Sequence, residues 1–315
     1  MVKLLILLFL VILIISVYAA NTLTKTVLDR NYELQQDSST LSKDPEEAER
    51  AVQILCGSKE WREEMKNKGE EWYLSSYDNL KLHASFRRND SHNYAILCHG
   101  FTGSSVEMMG RAEYLYGKGY SVLLPDARAH GQSEGRYRGM GYLEKKDIQG
   151  WIAKIVDMDK EANIVLFGQS MGAATVIMTG GEKLPANIKA IIADCSYTSV
   201  WDEFSLQIRE MYHLPSFPIM NIANVISKYK VGYSFTEASP LAAISKNKIP
   251  ILLIHGMEDS FVPYTYLDKL YQAAHEPKQK LGIEGAGHCM SVVKDGELYW
   301  KTIDHFLELY LSTVQ

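Results

Sequence analysis

A serine enclosed by two glycines is the feature of this sequence with the clearest chemistry. Residues 168–172 read GQSMG and match the pattern G-x-S-x-G, with Ser170 at its centre. The apolar run 164–167 precedes the pattern, and a helical pattern that begins at Ala173 follows it. In such a strand–turn–helix setting the glycines permit a sharp turn that exposes the serine hydroxyl. Ser170 is therefore predicted to be a nucleophile at the carboxyl end of a strand.

A serine hydroxyl needs partners, because it is a weak nucleophile at neutral pH. A histidine normally takes its proton, and a carboxylate orients that histidine. His288 ends the glycine-flanked run 285–288, which follows a pattern typical of a last strand. Asp259 follows the apolar strand run 251–254, so the chain order is serine, aspartate, histidine. We predict His288 as the base and Asp259 as its carboxylate partner, with Glu258 as the alternative carboxylate.

The negative charge that develops on a substrate oxygen needs backbone N–H donors, each of which contributes ~10²–10³ in rate. Met171, the residue after the nucleophile, is expected to supply the first donor. The run 99–103 (HGFTG), just past the first parallel strand, is expected to supply the second. Phe101 is the predicted donor there and Gly100 is the alternative, since a glycine lets the backbone come close to a substrate.

The loop 126–135 (DARAHGQSEG) contains a second set of acid, base and serine. Its candidates are Asp126, His130 and Ser133, all within one loop. Side chains so close along the chain rarely converge on one reacting atom, so we interpret them as a network that holds this loop beside the site. His255, at the end of its strand run, is also interpreted as structural.

The elements that position these residues follow from alternating sequence patterns. Short apolar runs, typical of strands buried on both faces, alternate with helical stripes such as that in 148–155. This alternation predicts an α/β fold with a mostly parallel, doubly wound sheet. The catalytic domain is expected to span 70–315 and to begin with two strands joined by a turn. The expected strands are 71–76, 80–87, 94–98, 120–124, 163–167, 190–193, 249–254 and 280–283.

One segment, 196–240, interrupts the alternation of strands and helices. It carries helical patterns rich in large apolar residues and is broken by prolines. We interpret this segment as a small helical cap over the site. Trp201, Phe204 and Met211 of the cap are expected to contact the substrate.

The beginning of the chain differs from everything that follows. Residues 4–20 form an uncharged, aliphatic run whose length is at the lower limit for crossing a hydrocarbon layer of ~30 Å. We predict that 1–20 is a hydrophobic anchor that spans the cell membrane once; the alternative is a cleaved signal segment and a secreted protein. Lys3 precedes the run, so the catalytic domain is expected to be exported. Residues 21–69 are expected to form a polar linker and then a helical arm that starts near Asp44.

Composition and charge narrow the classes of partner. The chain has 315 residues, 46% of them apolar, and a formal net charge of -5, which offers no basic surface to a nucleic acid. No spacing typical of a metal site is present, so no metal is expected, and the cysteines are interpreted mainly as buried thiols. The four cysteines are Cys56, Cys98, Cys195 and Cys289.

Five motifs in order resemble the α/β-hydrolase superfamily. The chain is most similar to its bacterial membrane-associated serine hydrolases, of the prolyl oligopeptidase-like and serine aminopeptidase-like branches. The resemblance covers about residues 70–312 and implies an α/β-hydrolase fold without a metal or organic cofactor. It does not define the substrate, which varies widely within the superfamily. The motifs are HGFTGSS (99–105), DARAHGQSEG (126–135), GQSMGA (168–173), GMEDSFVP (256–263) and GAGH (285–288), and DCSYTS (194–199) also fits.

These observations predict a serine hydrolase that cleaves a carboxylic ester or related acyl bond of a small molecule through an acyl-enzyme. A serine peptidase is the alternative. A peptidase selective for free amino termini would need paired acidic groups; Glu203 and Glu210 are candidates, but the sequence shows no convincing pair. A non-catalytic binding module is the third interpretation; such proteins usually lack a member of the triad, and here all three members are present.

Overall fold

The computed structural model describes residues 1–32 and 44–311, and an eight-stranded sheet forms the centre of this part of the chain. Apolar runs form the central strands because helices cover both faces of the sheet. The strands are β1 (Glu70–Ser75), β2 (Lys81–Arg87), β3 (Asn93–Cys98), β4 (Ser121–Pro125), β5 (Asn163–Gln169), β6 (Ile188–Asp194), β7 (Ile251–Gly256) and β8 (Lys278–Ile283).

The strand order is β1-β2-β4-β3-β5-β6-β7-β8. The pairs β1–β2 and β2–β4 are antiparallel, whereas every pairing from β4 across to β8 is parallel. The prediction of a mostly parallel, doubly wound sheet is thus confirmed. Because the parallel strands point the same way, the loops after β3, β5, β6, β7 and β8 all lie along one edge. Open α/β sheets bind their ligands at this carboxyl edge.

Helices flank the sheet on both sides, and three helices precede the first strand in the chain. In the described residues the helices are α1 (Val2–Leu28), α2 (Pro45–Cys56), α3 (Lys59–Lys68), α4 (Met109–Gly117), α5 (Glu144–Met158), α6 (Met171–Gly180), α7 (Val200–Tyr212), α8 (Ile219–Lys230), α9 (Pro240–Ile244), α10 (Thr265–Ala273), α11 (Ser291–Lys294) and α12 (Gly296–Leu311).

Each face of the sheet has its own apolar core. Residues of α5, α6, α9 and α10 pack on one face, and residues of α3, α4, α11 and α12 pack on the other. Successive strand side chains point to opposite faces, so Leu166 joins the first core and Val165 the second. Full burial of such a side chain is worth ~1.5–3 kcal/mol. The sheet is therefore the rigid platform on which the edge loops stand.

The first helix is longer than the predicted hydrophobic segment. α1 continues to Leu28, beyond the predicted end at residue 20 and into the predicted linker. Ala20, Thr24 and Leu28 are buried at four-residue spacing, which places them on one face of the helix. Ala20 and Leu28 join an apolar cluster that includes Met220 of α8. The polar residues of this stretch made its buried stripe hard to recognise in the sequence. Packing against α8 stabilises the additional turns of α1 beyond residue 20.

Hydrogen bonds attach the end of α1 to the domain. Arg138 Nη1 donates to the carbonyl oxygens of Val27 and Asp29 at 3.1 and 3.2 Å. Arg136 Nε forms an ion pair with the Asp29 carboxylate at 3.0 Å. The two Arg138 bonds satisfy backbone carbonyl groups that a helix end leaves without partners. Residues 33–43, which belong to the predicted linker, lie outside the described residues.

Two helices that precede the sheet pack onto it. α2 begins at Pro45, and the Asp44 side chain accepts a hydrogen bond from the Glu46 N–H at 2.9 Å, as an N-cap does. Ser58 at the start of α3 donates from its N–H and its hydroxyl to Glu113 of α4, at 2.8 and 2.6 Å. Trp61 of α3 is buried in the second core. The arm is therefore part of the domain's packing.

The segment predicted as a cap, 196–240, contains α7 and α8 and lies between β6 and α9. Phe204 of α7 and Ala223 of α8 belong to an apolar cluster with Phe235 and with Met171, the first residue of α6. We call this the cap cluster. Because Met171 follows Ser170 in the chain, the cap cluster lies beside the predicted nucleophile.

Candidate active site

Ser170 stands at the turn between β5 and α6. Its backbone has φ 54° and ψ -116°, a strained combination for a residue with a side chain. A Cβ atom on Gly168 would lie 2.1 Å from the Gly172 carbonyl oxygen. A Cβ atom on Gly172 would lie 2.0 Å from the Cys98 carbonyl oxygen. Both flanking positions therefore require glycine, and the tight turn presents Ser170 at the carboxyl edge of the sheet.

The three residues predicted as a triad lie in one hydrogen-bonded chain. Ser170 Oγ is 3.0 Å from His288 Nε2, and His288 Nδ1 is 2.7 Å from Asp259 Oδ2. An ionised carboxylate only accepts hydrogen bonds, so Nδ1 carries the proton and donates it to Asp259. The lone pair of Nε2 is then free to accept the hydroxyl proton of Ser170. This arrangement can remove a proton from a serine as the serine attacks.

Hydrogen bonds hold Asp259 at both carboxylate oxygens. Oδ1 accepts from the N–H groups of Phe261 and Val262 at 3.0 and 2.8 Å, and Oδ2 faces His288. Burial raises the pKa of this carboxyl group, but hydrogen bonds from two histidines lower it to about 2. Asp259 is therefore ionised at neutral pH. Glu258, the alternative carboxylate, is exposed and not in this chain of contacts.

His255 is the second histidine on this carboxylate, although the sequence analysis interpreted it as structural only. Its Nε2 lies 3.2 Å from Asp259 Oδ2 and 2.9 Å from the Val262 carbonyl oxygen. A proton on Nε2 can be shared between these two oxygens and fix the carboxylate against rotation. The available signal was a polar residue at the end of an otherwise apolar strand, four positions before Asp259.

His288 is accessible from solvent, with 16% of its side chain exposed. Burial lowers the pKa of its imidazole, whereas the Cys289 thiolate and the Asp259 carboxylate raise it well above the usual value. This upward shift belongs to the thiolate–imidazolium form; when the proton is on Cys289 instead, the Nε2 lone pair is free to accept from Ser170. The Phe261 ring lies 5.2 Å from the imidazole, measured between ring centroids. The histidine thus combines a fixed orientation with an open side that a substrate can reach.

The predicted oxyanion donors flank the nucleophile. Met171 is the first residue of α6, where backbone N–H groups have no partner within the helix and carry a partial positive charge. The loop with Phe101 runs close to the serine, since a Cβ atom on Gly100 would lie 3.6 Å from Ser170 Cβ. His99 holds this loop, because its Nε2 accepts from the Ala127 N–H at 3.0 Å.

The three predicted substrate contacts have different environments. Phe204 is buried, with its ring edge-on to Phe235 at 5.1 Å between centroids, and Trp201 packs half-buried against the same cap cluster. Met211 lies near the end of α7, is 62% exposed, and is not a member of the cap cluster. The apolar sequence stripe did not distinguish the inner from the outer face of this helix.

The two acidic cap residues do not form a pair. Glu203 is buried, and its Oε1 accepts from Gln207 Nε2 at 2.8 Å. Burial raises the pKa of Glu203 to about 7. Glu210 is exposed and forms an ion pair with Arg209 at 3.2 Å. A site with two carboxylates for a free amine is therefore not formed by these residues.

The loop that begins at Asp126 forms a network of its own. Asp126 accepts from the N–H groups of Ser105 and Gln132, both at 2.9 Å, and lies 2.8 Å from His83 Nδ1. The Ser133 hydroxyl donates to the Asp126 carbonyl oxygen at 2.6 Å. The interpretation of these residues as a supporting network fits these contacts. His83 was not identified from the sequence, because it lies in a different strand, β2.

Cys195 and Cys289 meet beside His288. Their sulfur atoms are 3.5 Å apart, and both lie within 4.8 Å of a His288 ring nitrogen. The spacing of cysteines in the sequence gave no sign of this cluster. Cys195 directly follows β6 and Cys289 lies in the loop after β8, so only the shared edge of the sheet brings them together.

A mostly parallel sheet with a strained serine after β5, an aspartate after β7 and a histidine after β8 defines the α/β-hydrolase class. Comparison with known proteins agrees. The family model described as alpha/beta hydrolase fold matches residues 96–214. The uncharacterized protein YqkD of Bacillus subtilis (strain 168) is 32% identical over 221 residues, which are 70% of this chain and 72% of that protein. This chain belongs to the α/β-hydrolase superfamily.

Solved structures share the fold. The Pyrococcus furiosus esterase Pf2001 is 24% identical, with a TM-score of 0.63 over 79% of this chain and 95% of that chain. The Pyrococcus horikoshii acylaminoacyl peptidase is 17% identical, with a TM-score of 0.59 over 78% of this chain and 42% of that chain. At these identities the likeness shows the fold alone. The family and the fold together indicate a hydrolase.

Proposed function

We propose that this protein is a serine hydrolase that cleaves a carboxylic ester or a related acyl bond through an acyl-enzyme. One observation carries the proposal: the continuous hydrogen-bond chain from Ser170 to His288 at 3.0 Å and from His288 to Asp259 at 2.7 Å. The distances are within the range in which a base can take the proton of a nucleophile.

The proposed reaction has two halves. Ser170 Oγ attacks the acyl carbon while His288 Nε2 takes the hydroxyl proton, and Asp259 stabilises the imidazolium that results. The N–H groups of Phe101 and Met171 stabilise the negative charge on the former carbonyl oxygen. His288 then gives its proton to the leaving alcohol, the ester bond breaks, and an acyl-serine remains. Water, deprotonated by His288, attacks this ester, and the acid departs as Ser170 regains its proton.

The surroundings of the site favour an acyl or aromatic group. Phe204 belongs to the apolar cap cluster and Trp201 packs against it, and the cluster also contains Met171, next to the nucleophile. A serine peptidase is the second candidate. The peptidase candidate is favoured by Glu203, because the Oε2 atom of this buried carboxyl group has no hydrogen-bond partner among the described residues. Glu210 is exposed and bound to Arg209, so it forms no acidic pair with Glu203, which counts against selectivity for free amino termini. Initial rates on p-nitrophenyl esters and on aminoacyl p-nitroanilides, measured side by side, separate the two substrate classes.

A variant of the nucleophile tests the proposed reaction. Ser170→Ala is expected to lower the rate on a short p-nitrophenyl ester by ~10⁵–10⁶-fold, since removal of a triad serine has an effect of this order. It should also abolish covalent labelling by a fluorophosphonate probe. Ser245→Ala, which changes an exposed serine in the turn after α9, is the matched control and should retain both signals. Unchanged turnover or labelling of Ser170→Ala would contradict the proposal, and an unlabelled wild-type protein would favour the binding module.

We also propose that α1 anchors the protein in the cell membrane, with the catalytic domain exported. In the described residues α1 is the one helix long and apolar enough to cross a membrane. Its apolar side chains are exposed as far as Tyr18. Packing of Ala20 and Leu28 on the cap cluster favours retention over cleavage. Fractionation of cells, followed by protease treatment of intact spheroplasts, tests both points: an anchored, exported domain sediments with membranes and is digested.

A further inference from the structure

We propose that Cys195, Cys289 and His288 form a binding site for a thiophilic divalent cation of the Zn²⁺ type. Such a cation would block hydrolysis reversibly, because it occupies the base. The inhibitory consequence rests on the proposed function, since it requires His288 to act as the base. The binding of the cation does not depend on that function, and the two are tested separately.

The distances among the three side chains suit a tetrahedral ion. The two sulfur atoms are 3.5 Å apart, and all three ligand atoms lie within 4.8 Å of one another. Zinc bonds of ~2.3 Å to sulfur and ~2.0–2.1 Å to nitrogen put neighbouring ligands of a tetrahedron about 3.5–3.8 Å apart. The two sulfur atoms, 3.5 Å apart, lie close to this spacing, and rotation of the cysteine side chains would bring them toward the imidazole while it keeps its hydrogen bond to Asp259.

The hydrogen bond to Asp259 decides which nitrogen of His288 binds the ion. Nδ1 donates to the Asp259 carboxylate at 2.7 Å, which leaves the lone pair of Nε2 as the ligand. A carboxylate behind a histidine is a common support of zinc ligands, because it fixes the tautomer and orients the ring. The ion therefore uses the lone pair that Ser170 otherwise contacts at 3.0 Å. Ser170 cannot lose its proton to a histidine whose Nε2 is coordinated.

Charge and access also favour a soft divalent ion. Cys195 is buried, whereas Cys289 and His288 are partly exposed and provide the route of entry. On coordination the two thiols release their protons to the buffer, and the two thiolates balance the charge of the ion. A site that is neutral overall avoids the cost of an uncompensated buried charge. Thiolate and imidazole ligands select zinc-like ions over Mg²⁺ or Ca²⁺, which prefer oxygen.

Cobalt absorption measures binding without any need for activity. The full-length chain, in detergent with a phosphine reductant, is titrated with Co²⁺, and the thiolate-to-cobalt charge-transfer band is recorded. Zn²⁺ is then added to displace the cobalt. We expect the band in the wild type and its loss or weakening in Cys195→Ser and Cys289→Ser. Cys56→Ser, which changes a partly exposed thiol of α2, is the matched control and should keep the band.

The affinity for Zn²⁺ should fall by more than ~10-fold in either cysteine variant, since even loss of an outer partner of a metal ligand costs ~10–100-fold. Cys195 is buried, so thermal melting accompanies each variant, and Cys289→Ser carries the test if Cys195→Ser does not fold. Equal bands in the wild type and in a folded Cys289→Ser, or no band in the wild type, would overturn the proposal.

Inhibition by Zn²⁺ tests whether occupation of the metal site blocks hydrolysis. Micromolar Zn²⁺ is expected to inhibit wild type and Cys56→Ser, and removal of the ion with a chelator should restore the rate. Cys289→Ser should need more than ~10-fold higher Zn²⁺ for the same inhibition. Equal inhibition of Cys289→Ser would overturn the assignment of the sulfur ligands. Ser170→Ala retains all three ligands, so its cobalt band should persist although its hydrolysis is lost. The metal site and the serine mechanism can therefore fail independently, and the band reports on the metal site alone.

Discussion

Two histidine–aspartate pairs in this molecule have almost the same geometry and different surroundings. His288 Nδ1 lies 2.7 Å from Asp259, and His83 Nδ1 lies 2.8 Å from Asp126. Each aspartate also accepts two backbone N–H groups. The difference is at the other ring nitrogen, which faces the hydroxyl of Ser170 in one pair and the carboxylate of Glu71 in the other.

This difference determines what each histidine can do. Burial lowers the pKa of His83, but the carboxylates of Asp126 and Glu71 raise it, and the net shift is upward. A protonated His83 is a double donor that joins β1, β2 and the loop after β4. His288 must instead offer a lone pair to Ser170. Of the two pairs, that of His288 has a nucleophile facing its second nitrogen, as the proposed mechanism requires.

The largest expected contrast comes from the same substitution in both pairs. Asp259→Asn turns an NH₂ group toward the Nδ1–H of His288, which favours the wrong tautomer. We expect kcat on a p-nitrophenyl ester to fall by ~10⁴-fold, as for the corresponding change in other triads. The structure should survive, so circular dichroism is recorded alongside. A loss below about tenfold would mean that Asp259 is not the orienting carboxylate.

Asp126→Asn should mainly lower stability. The amide NH₂ would face donors that now bond to a carboxylate, and breaking a buried charged pair costs about 3–5 kcal/mol. Urea denaturation should therefore give a much lower free energy of unfolding, whereas kcat of the folded fraction should stay within about tenfold of wild type. A loss of kcat comparable to that of Asp259→Asn, in a stable protein, would remove the distinction between the two pairs.

The pH dependence of stability provides a third comparison. A histidine whose pKa is raised on folding contributes fully below its unfolded pKa of ~6.5 and loses that contribution as pH rises through the folded pKa. His83→Gln should therefore destabilise the protein most near pH 6, by about 1–3 kcal/mol for a buried hydrogen-bonded charge, and less at higher pH. Urea midpoints measured across this range test the sign. A deficit that grows with pH would mean that His83 is neutral in the folded protein.

The smallest effect is expected at His255, which touches Asp259 but not the base. His255→Phe removes the donor shared between Asp259 and the Val262 carbonyl oxygen. We expect kcat to fall about tenfold, equivalent to ~1.4 kcal/mol of transition-state stabilisation, with KM nearly unchanged. His255→Gln, whose side-chain amide keeps an N–H donor near the position of Nε2, serves as the comparison and should retain more of kcat. A KM effect without a kcat effect would show that His255 acts on the substrate instead of the carboxylate.

Local patterns predicted the sheet well, because a buried parallel strand needs an uninterrupted apolar run. They also predicted the serine turn, since its glycines and flanking elements are contiguous in sequence. The extension of α1 to Leu28 was missed because its stripe mixes alanine, threonine and leucine. The contact of His83 with Asp126 was missed because it joins separate strands.

The cysteine cluster was missed for the same reason as the His83 contact. Cys195 and Cys289 are distant in sequence, and only the parallel order β6-β7-β8 brings the ends of their strands near each other. Spacing reveals a metal site only when the ligands share a loop or a hairpin. A site at a sheet edge can be recognised from the sequence only if the strand order is known as well as the residues. The strand order is determined by tertiary packing, which local patterns do not show.

The packing of α1 against the cap also restricts rotation of the domain relative to this helix. α1 is one helix of 27 residues, about 40 Å at ~1.5 Å per residue, and a bilayer core takes up ~30 Å of it. With α1 as the proposed anchor, the last ~10 Å of the helix lies outside the hydrocarbon, and Arg138 and α8 hold that stretch against the domain. The domain and the proposed anchor then move as one body, so the tilt of α1 in the bilayer sets the orientation of the domain.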